Sequence, residues 1–277
     1  MRIALLGTGR MATHLGRHLL DAGHDLTVWN RTSARVEPLV SAGATAADSA
    51  TAAVAGAEMT VSVLFGPPSV RETIINPDLF TAGDLWLDIT TVGPEDATFQ
   101  ASWASHKGVR YVAGPVLGSM APAEKGELGV ILGGSGEDVA AVREVVDLWG
   151  AVEKIRVVPT AREAAAGKLV ANLALAVAVQ GVGEALSFAS DVGLDRATAL
   201  QILSGSVLAP IVAAKNAKLT ERDFTEAEFT AHALIKDMDL VLADSLGLHA
   251  VQAVRDALEA AIDDGRGDED FAVVTDV

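Results

Sequence analysis

Two polar residues four apart interrupt an otherwise apolar stretch. AAAGKLVANLALAVAVQG, residues 164–181, is built from Ala, Leu and Val around Lys168 and Asn172. Residues i and i+4 share one helical face, so Lys168 and Asn172 point the same way. An ammonium buried without a partner or a use costs on the order of several kcal/mol. At the level of the residues, two readings stay open. Lys168 either snorkels to water along its stem or is held in a site that uses it.

A second constellation lies at the start of the chain. Gly7-Thr8-Gly9-Arg10-Met11-Ala12 fits G-x-G-x-x-G/A, follows an apolar run and opens the amphipathic segment MATHLGRHLLDAGH. In that context Gly7 permits the tight turn, Gly9 lets a pyrophosphate approach the backbone, and Ala12 allows close helix–strand packing. The helix N-terminus then offers free N–H groups to the phosphates. The next strand ends Trp29-Asn30-Arg31-Thr32, where NAD-binding folds usually carry an acid for the ribose hydroxyls. No acid stands here. Asn30 and Thr32 can donate hydrogen bonds, and Arg31 can pair with a 2′-phosphate, so NADP(H) is the expected cofactor. Leu64 and Phe65, closing the strand pattern at 59–65, are further cofactor-binding candidates. The six histidines show no metal spacing and there is no cysteine, so no metal site is expected.

The elements that must position these residues follow from periodicity. Short apolar runs at 2–7, 25–30, 59–65, 85–90, 109–114, 128–134 and 153–158 alternate with helical patterns at 10–22, 33–41, 48–56, 68–75, 94–106 and 137–149. Such alternation predicts an α/β fold with a doubly wound, parallel Rossmann-type sheet whose loops collect at one edge. Beyond residue 160 the strand signals stop. One long helix at 161–192 precedes helices near 195–204, 207–217, 229–246 and 248–264. The expected organisation is therefore a nucleotide-binding domain at 1–160 and an all-helical domain at 161–277. A thin helical domain cannot easily bury so apolar a helix by itself, which predicts a homodimer built on it.

Composition narrows the partners. With 37 acidic and 21 basic residues, the net charge of −16 disfavours nucleic acid. No window of about 18 residues is free of charge and polarity, so no membrane span is expected. The apolar run after Met1 is too short for a signal peptide, and a cytoplasmic location is the default expectation.

Taken together, the motifs resemble the β-hydroxyacid dehydrogenase family, also called the 3-hydroxyisobutyrate dehydrogenase-related family. Besides the glycine loop and NRT (30–32), DITTVGPE (88–95) is similar to its D-x-S-T-V-x-P, and AGPVLGSMAPAEKGELGVILGG (113–134) to its substrate segment. GKLVAN (167–172) and IKDMDLVLA (235–243) resemble its K-x-x-x-N and late K-D-x-x-L-A motifs. Among subgroups, GPVLGS followed by PAEKGEL and KDM looks most like NADPH-dependent glyoxylate and succinic semialdehyde reductases.

The resemblance implies an oxidoreductase moving hydride between nicotinamide and a small aldehyde or β-hydroxyacid. It implies that Lys168 is the general acid/base and that Asn172 holds substrate and lysine. Thr91 is implied near the nicotinamide ribose or substrate, the competing reading being a helix N-cap before Pro94. Gly118 and Ser119 are implied to grip a substrate carboxylate, Phe229 to cover the site, Lys236 to approach the cofactor, and Asp237 to orient that lysine beside the substrate. Leu117 departs from the family, which commonly has Ser there, and replaces a hydroxyl donor by an apolar wall. Imine reductases are relatives with a similar tail but generally lack the lysine. A non-catalytic scaffold is the third reading, and Lys168 weighs against both.

Overall fold

The structure is a computed structural model and describes residues 1–245 and 247–276. It separates into two compact units, Met1–Lys168 and Leu169–Val277. The change of pattern at 160/161 marks the start of a long helix, and the units divide further along that helix.

The first unit runs β1 (Arg2–Leu6), α1 (Arg10–Asp21), β2 (Asp25–Trp29), α2 (Glu37–Val40), β3 (Thr45–Ala46), α3 (Ala50–Val54), β4 (Met59–Ser62), α4 (Pro67–Val70), β5 (Leu85–Asp88), α5 (Pro94–Lys107), β6 (Arg110–Ala113), β7 (Val116–Leu117), α6 (Met120–Lys125), β8 (Leu128–Gly134), α7 (Gly136–Val146) and β9 (Gly150–Val158). The sheet order is β3-β2-β1-β4-β5-β6-β8-β7, with β9 paired to β8. From β3 to β6 every pairing is parallel. The order reverses between β1 and β4, the switch point where such sheets open a crevice beyond their strand ends.

The parallel pattern stops at β6. Strand β8 runs antiparallel to β6 and β7, and β9 is parallel to β8. The sheet is therefore mixed at this edge. Residues 114–127 are taken up by β7 and the six-residue α6, which turn the chain back instead of carrying it across the sheet. Strands β3 and β7, two residues each, and helix α6 are additions to the expected elements. Two residues are too few to show alternation, and α6 lies inside a Gly- and Pro-bearing stretch.

Both faces of the sheet are covered. Leu5, Leu15, Leu19, Val28, Val61 and Leu87 pack on one side. Leu6, Phe80, Trp86 and Tyr111 pack on the other, with ring centroids 5.4 Å apart for Phe80–Trp86 and 4.6 Å for Trp86–Tyr111. Burial on two faces explains why the strands are nearly continuous apolar runs.

The second unit continues from α8 (Ala161–Asp191) through α9 (Arg196–Leu203), α10 (Ala209–Ala214), α11 (Asn216–Glu221), α12 (Ala231–Asp244) and α13 (His249–Asp263). The single helix expected at 207–217 is two, because α10 ends at Ala214, Lys215 leaves the helical conformation at φ −114°, and α11 starts at Asn216. Asp195 caps α9 through Thr198 N at 3.0 Å, and Thr230 caps α12 through Ala233 N at 3.2 Å. Leu169, Ala176, Phe224, Leu234, Met238, Val254 and Phe271 form the core. Lys215, 7% exposed, lies between Asp270 Oδ2 at 2.9 Å and Glu228 Oε2 at 3.2 Å, tying the C-terminal segment to the α10–α11 junction.

Helix α8, 31 residues, is long and apolar enough to cross a bilayer by length and composition alone. The expectation of no membrane span rested on its scattered polar residues, and they do not disqualify it on that measure. Core helices pass the same test.

Candidate active site

The glycine loop sits between β1 and α1. Gly7 has φ +92°, and a Cβ there would stand 2.3 Å from the Val63 carbonyl oxygen. No other residue fits this turn. A Cβ at Gly9 would meet nothing within 4 Å, so the loop keeps a hollow that a side chain would fill. Gly9 is the N-cap of α1 and supplies no side-chain cap. This is the cradle a pyrophosphate needs, and these residues fit a dinucleotide. Thr8 is buried, Met11 half-buried and Arg10 exposed.

The loop is tied to the end of β2. Thr8 N donates to Asn30 Oδ1 at 3.1 Å, Asn30 Nδ2 donates to the Thr32 carbonyl at 2.9 Å, and Thr8 Oγ1 donates to the Arg35 carbonyl at 2.9 Å. Asn30 thus braces the loop from within. Arg31 is exposed and makes a 3.6 Å pair with exposed Glu72, a contact of little strength. Thr32 is exposed. Arg35, four residues past Arg31, puts a second cation in this segment, outside the residues that the NRT motif marks.

Across the switch point, β4 and β5 end in a buried polar knot. Asp88 Oδ1 accepts from Ser62 Oγ at 2.7 Å and from Thr90 N at 3.0 Å. Trp86 Nε1 donates to Ser62 Oγ at 2.7 Å, and Leu64 N donates to Thr90 Oγ1 at 3.0 Å. Asp88 is 1% exposed, and burial pushes its carboxyl up to about 6 against the pull of the Thr90 and Ser62 hydrogen bonds. Leu64 and Thr91 are half-buried and Phe65 is 59% exposed. Thr91 does not cap the following helix: the N-cap of α5 is Gly93, with Pro94 in the first turn. Asp88 falls within DITTVGPE (88–95), where the motif by itself implies no role for it. An acid closing the apolar run LWLD was the available signal.

Leu117 pairs with Gly129 across β7 and β8 and is half-buried. Gly118 has φ +130°, and a Cβ there would meet Leu128 Cδ2 at 2.8 Å. Ser119 starts α6 without capping it through its own hydroxyl.

Lys168 is half-buried on α8, one turn before Asn172. In the second unit Asn172, 5% exposed, donates through Nδ2 to Asp237 Oδ2 at 2.5 Å. Asp237, 1% exposed, holds Lys236 Nζ at 2.5 Å with its other oxygen. Asn172, Asp237 and Lys236 form one chain of hydrogen bonds between α8 and α12, although 65 residues separate the first two. Phe229 stands edge-on to Phe271, centroids 5.7 Å apart. Among the described residues no cluster of His, Asp or Glu could hold a metal ion.

A glycine cradle at the switch edge of a Rossmann-type sheet, followed by a helical unit, defines an NAD(P)-dependent oxidoreductase. Residues 2–161 match the NAD binding domain of 6-phosphogluconate dehydrogenase, and residues 163–277 match the NAD-binding domain of NADP-dependent 3-hydroxyisobutyrate dehydrogenase. The chain belongs to the β-hydroxyacid dehydrogenase, or 3-hydroxyisobutyrate dehydrogenase-related, family. It is 28% identical to glyoxylate/succinic semialdehyde reductase 1 of Arabidopsis thaliana, over 99% of this chain and 97% of that one. It is 33% identical to a 3-hydroxyisobutyrate dehydrogenase of Pseudomonas aeruginosa, over 74% of this chain and 69% of the relative. The solved 3-hydroxyisobutyrate dehydrogenase of Mycobacterium tuberculosis shares the fold with a TM-score of 0.86 at 22% identity, covering 100% of this chain and 99% of its own.

Proposed function

We propose that the protein is an NADPH-dependent reductase of small aldehydes, or a dehydrogenase of the matching β-hydroxyacids, with Lys168 as general acid/base. The observation that carries this reading is the Asn172–Asp237–Lys236 chain, which begins one helical turn from Lys168. When bound, the dinucleotide supplies or accepts the hydride. Lys168 gives a proton to the carbonyl oxygen in reduction and takes the hydroxyl proton in oxidation. The Asn172 amide nitrogen is committed to Asp237, so its oxygen is the atom left to accept from an ammonium or a substrate hydroxyl. Asp237, with both oxygens engaged, acts as a positioning residue. Gly118 and Ser119 offer backbone N–H groups to a carboxylate, beside the apolar Leu117. Arg31, in an exposed pair with Glu72, is available to a 2′-phosphate, with Arg35 close in sequence.

The test is turnover of glyoxylate, succinic semialdehyde, β-hydroxyacids and a cyclic imine with NADPH and with NADH. NADPH is expected to bind at least about tenfold tighter, a difference of ~1.4 kcal/mol. On the best carbonyl substrate, Lys168→Ala loses about 10² to 10⁴ in kcat with cofactor affinity nearly unchanged. Retention of most of the rate overturns the assignment, and turnover confined to the imine overturns the substrate class.

The same reading includes a homodimer. Val170 and Phe188 stand 68% and 67% exposed on α8. Their spacing is five helical turns, so they lie on one face. A second copy of this face would cover it, and a monomer mass by light scattering at micromolar concentration would remove the proposal.

A further inference from the structure

We propose that the buried carboxylate of Asp88 is a positioning residue that biases the cofactor site toward the oxidised, cationic nicotinamide over the neutral reduced ring. This inference rests on the reading of the first unit as a dinucleotide site. The argument is one of placement. The glycine loop follows β1, and the end of β2 belongs to the adenosine side, so the other half of a dinucleotide extends over the ends of β4 and β5. Asp88 is the last residue of β5, in register with Ser62 at the end of β4.

Its carboxylate is bonded into the backbone of that edge. Oδ1 holds Thr90 N, and Thr90 Oγ1 in turn holds Leu64 N, so one acid fixes both loops that leave the switch edge. A neutral amide could do that as well. What an amide could not supply is charge. Oδ2 is buried with no hydrogen-bond partner among the described residues. Burial acts on the carboxyl together with Thr90 and Ser62, and no cation among the described residues offsets it. Tyr111, from β6, is the titratable side chain facing it, and burial holds that phenol well above its ordinary value, so it stays neutral. A carboxylate without a counter-charge in a poorly screened interior acts over several ångströms, and a cationic ring at the strand ends is the counter-charge it lacks.

The experiment measures dissociation constants of NADP⁺ and NADPH by titration, without turnover, for wild type, Asp88→Asn and Ser62→Ala. Asp88→Asn is expected to lower the ratio of NADP⁺ to NADPH affinity by about tenfold. Ser62→Ala disturbs the same knot but keeps the charge, and should leave the ratio within about twofold. A second measurement needs no variant: for wild type, the ratio should fall between pH 8 and pH 5 as the carboxyl takes up its proton. The 2′-phosphate, common to both cofactors, cancels in the ratio. An unchanged ratio in Asp88→Asn and across pH, with both cofactors bound, overturns the inference and leaves the dinucleotide site standing. Binding of neither form by wild type overturns the site and the inference together.

Discussion

The two units treat buried acid in opposite ways. In the second, each deeply buried carboxylate has an ammonium: Asp270, fully buried, holds Lys215 at 2.9 Å, and Asp237 holds Lys236 at 2.5 Å. In the first, Asp88 is equally buried, and among the described residues it is held by Ser62 and Thr90 and by no ammonium. In the pairs each charge replaces lost water with a partner, which offsets part of its desolvation cost. The lone acid remains a cost to the folded state, seen in its carboxyl being pushed up to about 6. Paired acids are what a fold needs to cross-link helices. An unpaired one at the strand edge that carries the glycine loop is a candidate for function.

The sharpest way to break this comparison is to remove one half of a pair. Asp270→Ala strands the Lys215 ammonium, 7% exposed, and should destabilise the second unit by about 3–5 kcal/mol in denaturant unfolding. A loss under about 1 kcal/mol would mean that Glu228 and the Phe271 ring, 4.8 Å from the ammonium, hold it unaided.

The lone acid predicts the opposite sign. A raised folded-state pKa means that the stability Asp88 contributes is fully present below its unfolded value of 3.8 and is lost as pH rises through about 6. Asp88→Asn should therefore stabilise the first unit at pH 8, by on the order of 2–3 kcal/mol, with the gain gone near pH 4. Paired melts of the variant and wild type at both pH values check this, since all other carboxylates cancel. A variant less stable at pH 8 would show that the charge contributes net stability to the knot.

The smallest effect calibrates the other two. Arg255 bridges Asp239 and Glu259 at 2.8 Å each, on half-exposed carboxylates at the surface. Arg255→Ala should cost less than about 1 kcal/mol, and that loss should shrink in molar salt. A cost comparable to that of Asp270→Ala would make burial irrelevant to the contrast.

Much of the fold was legible in the chain because its signals are local. The strand-then-glycine pattern at 2–9, the strand runs to 134 and the helical stretch from 161 each rest on periodicity or a turn that neighbours alone decide. The missed elements were those where local pattern is weak: β3 and β7 are too short to alternate, and α6 is a single short helix between two turns. The antiparallel arrival of β8 depends on where the chain turns, which no strand pattern records.

The candidate site divides along the same line. By itself the sequence determined that Gly7 and Gly9 form a turn, that no acid ends β2, and that Lys168 and Asn172 share a helical face, because each is a matter of residue type and short spacing. Tertiary structure alone decided which acids have partners. Asn172 meets Asp237 across 65 residues, Lys215 meets Asp270 across 55, and Asp88 meets Ser62 across 26 with one oxygen left over. The energy of a charge depends on what surrounds it in space, and a chain written in one dimension does not carry its surroundings.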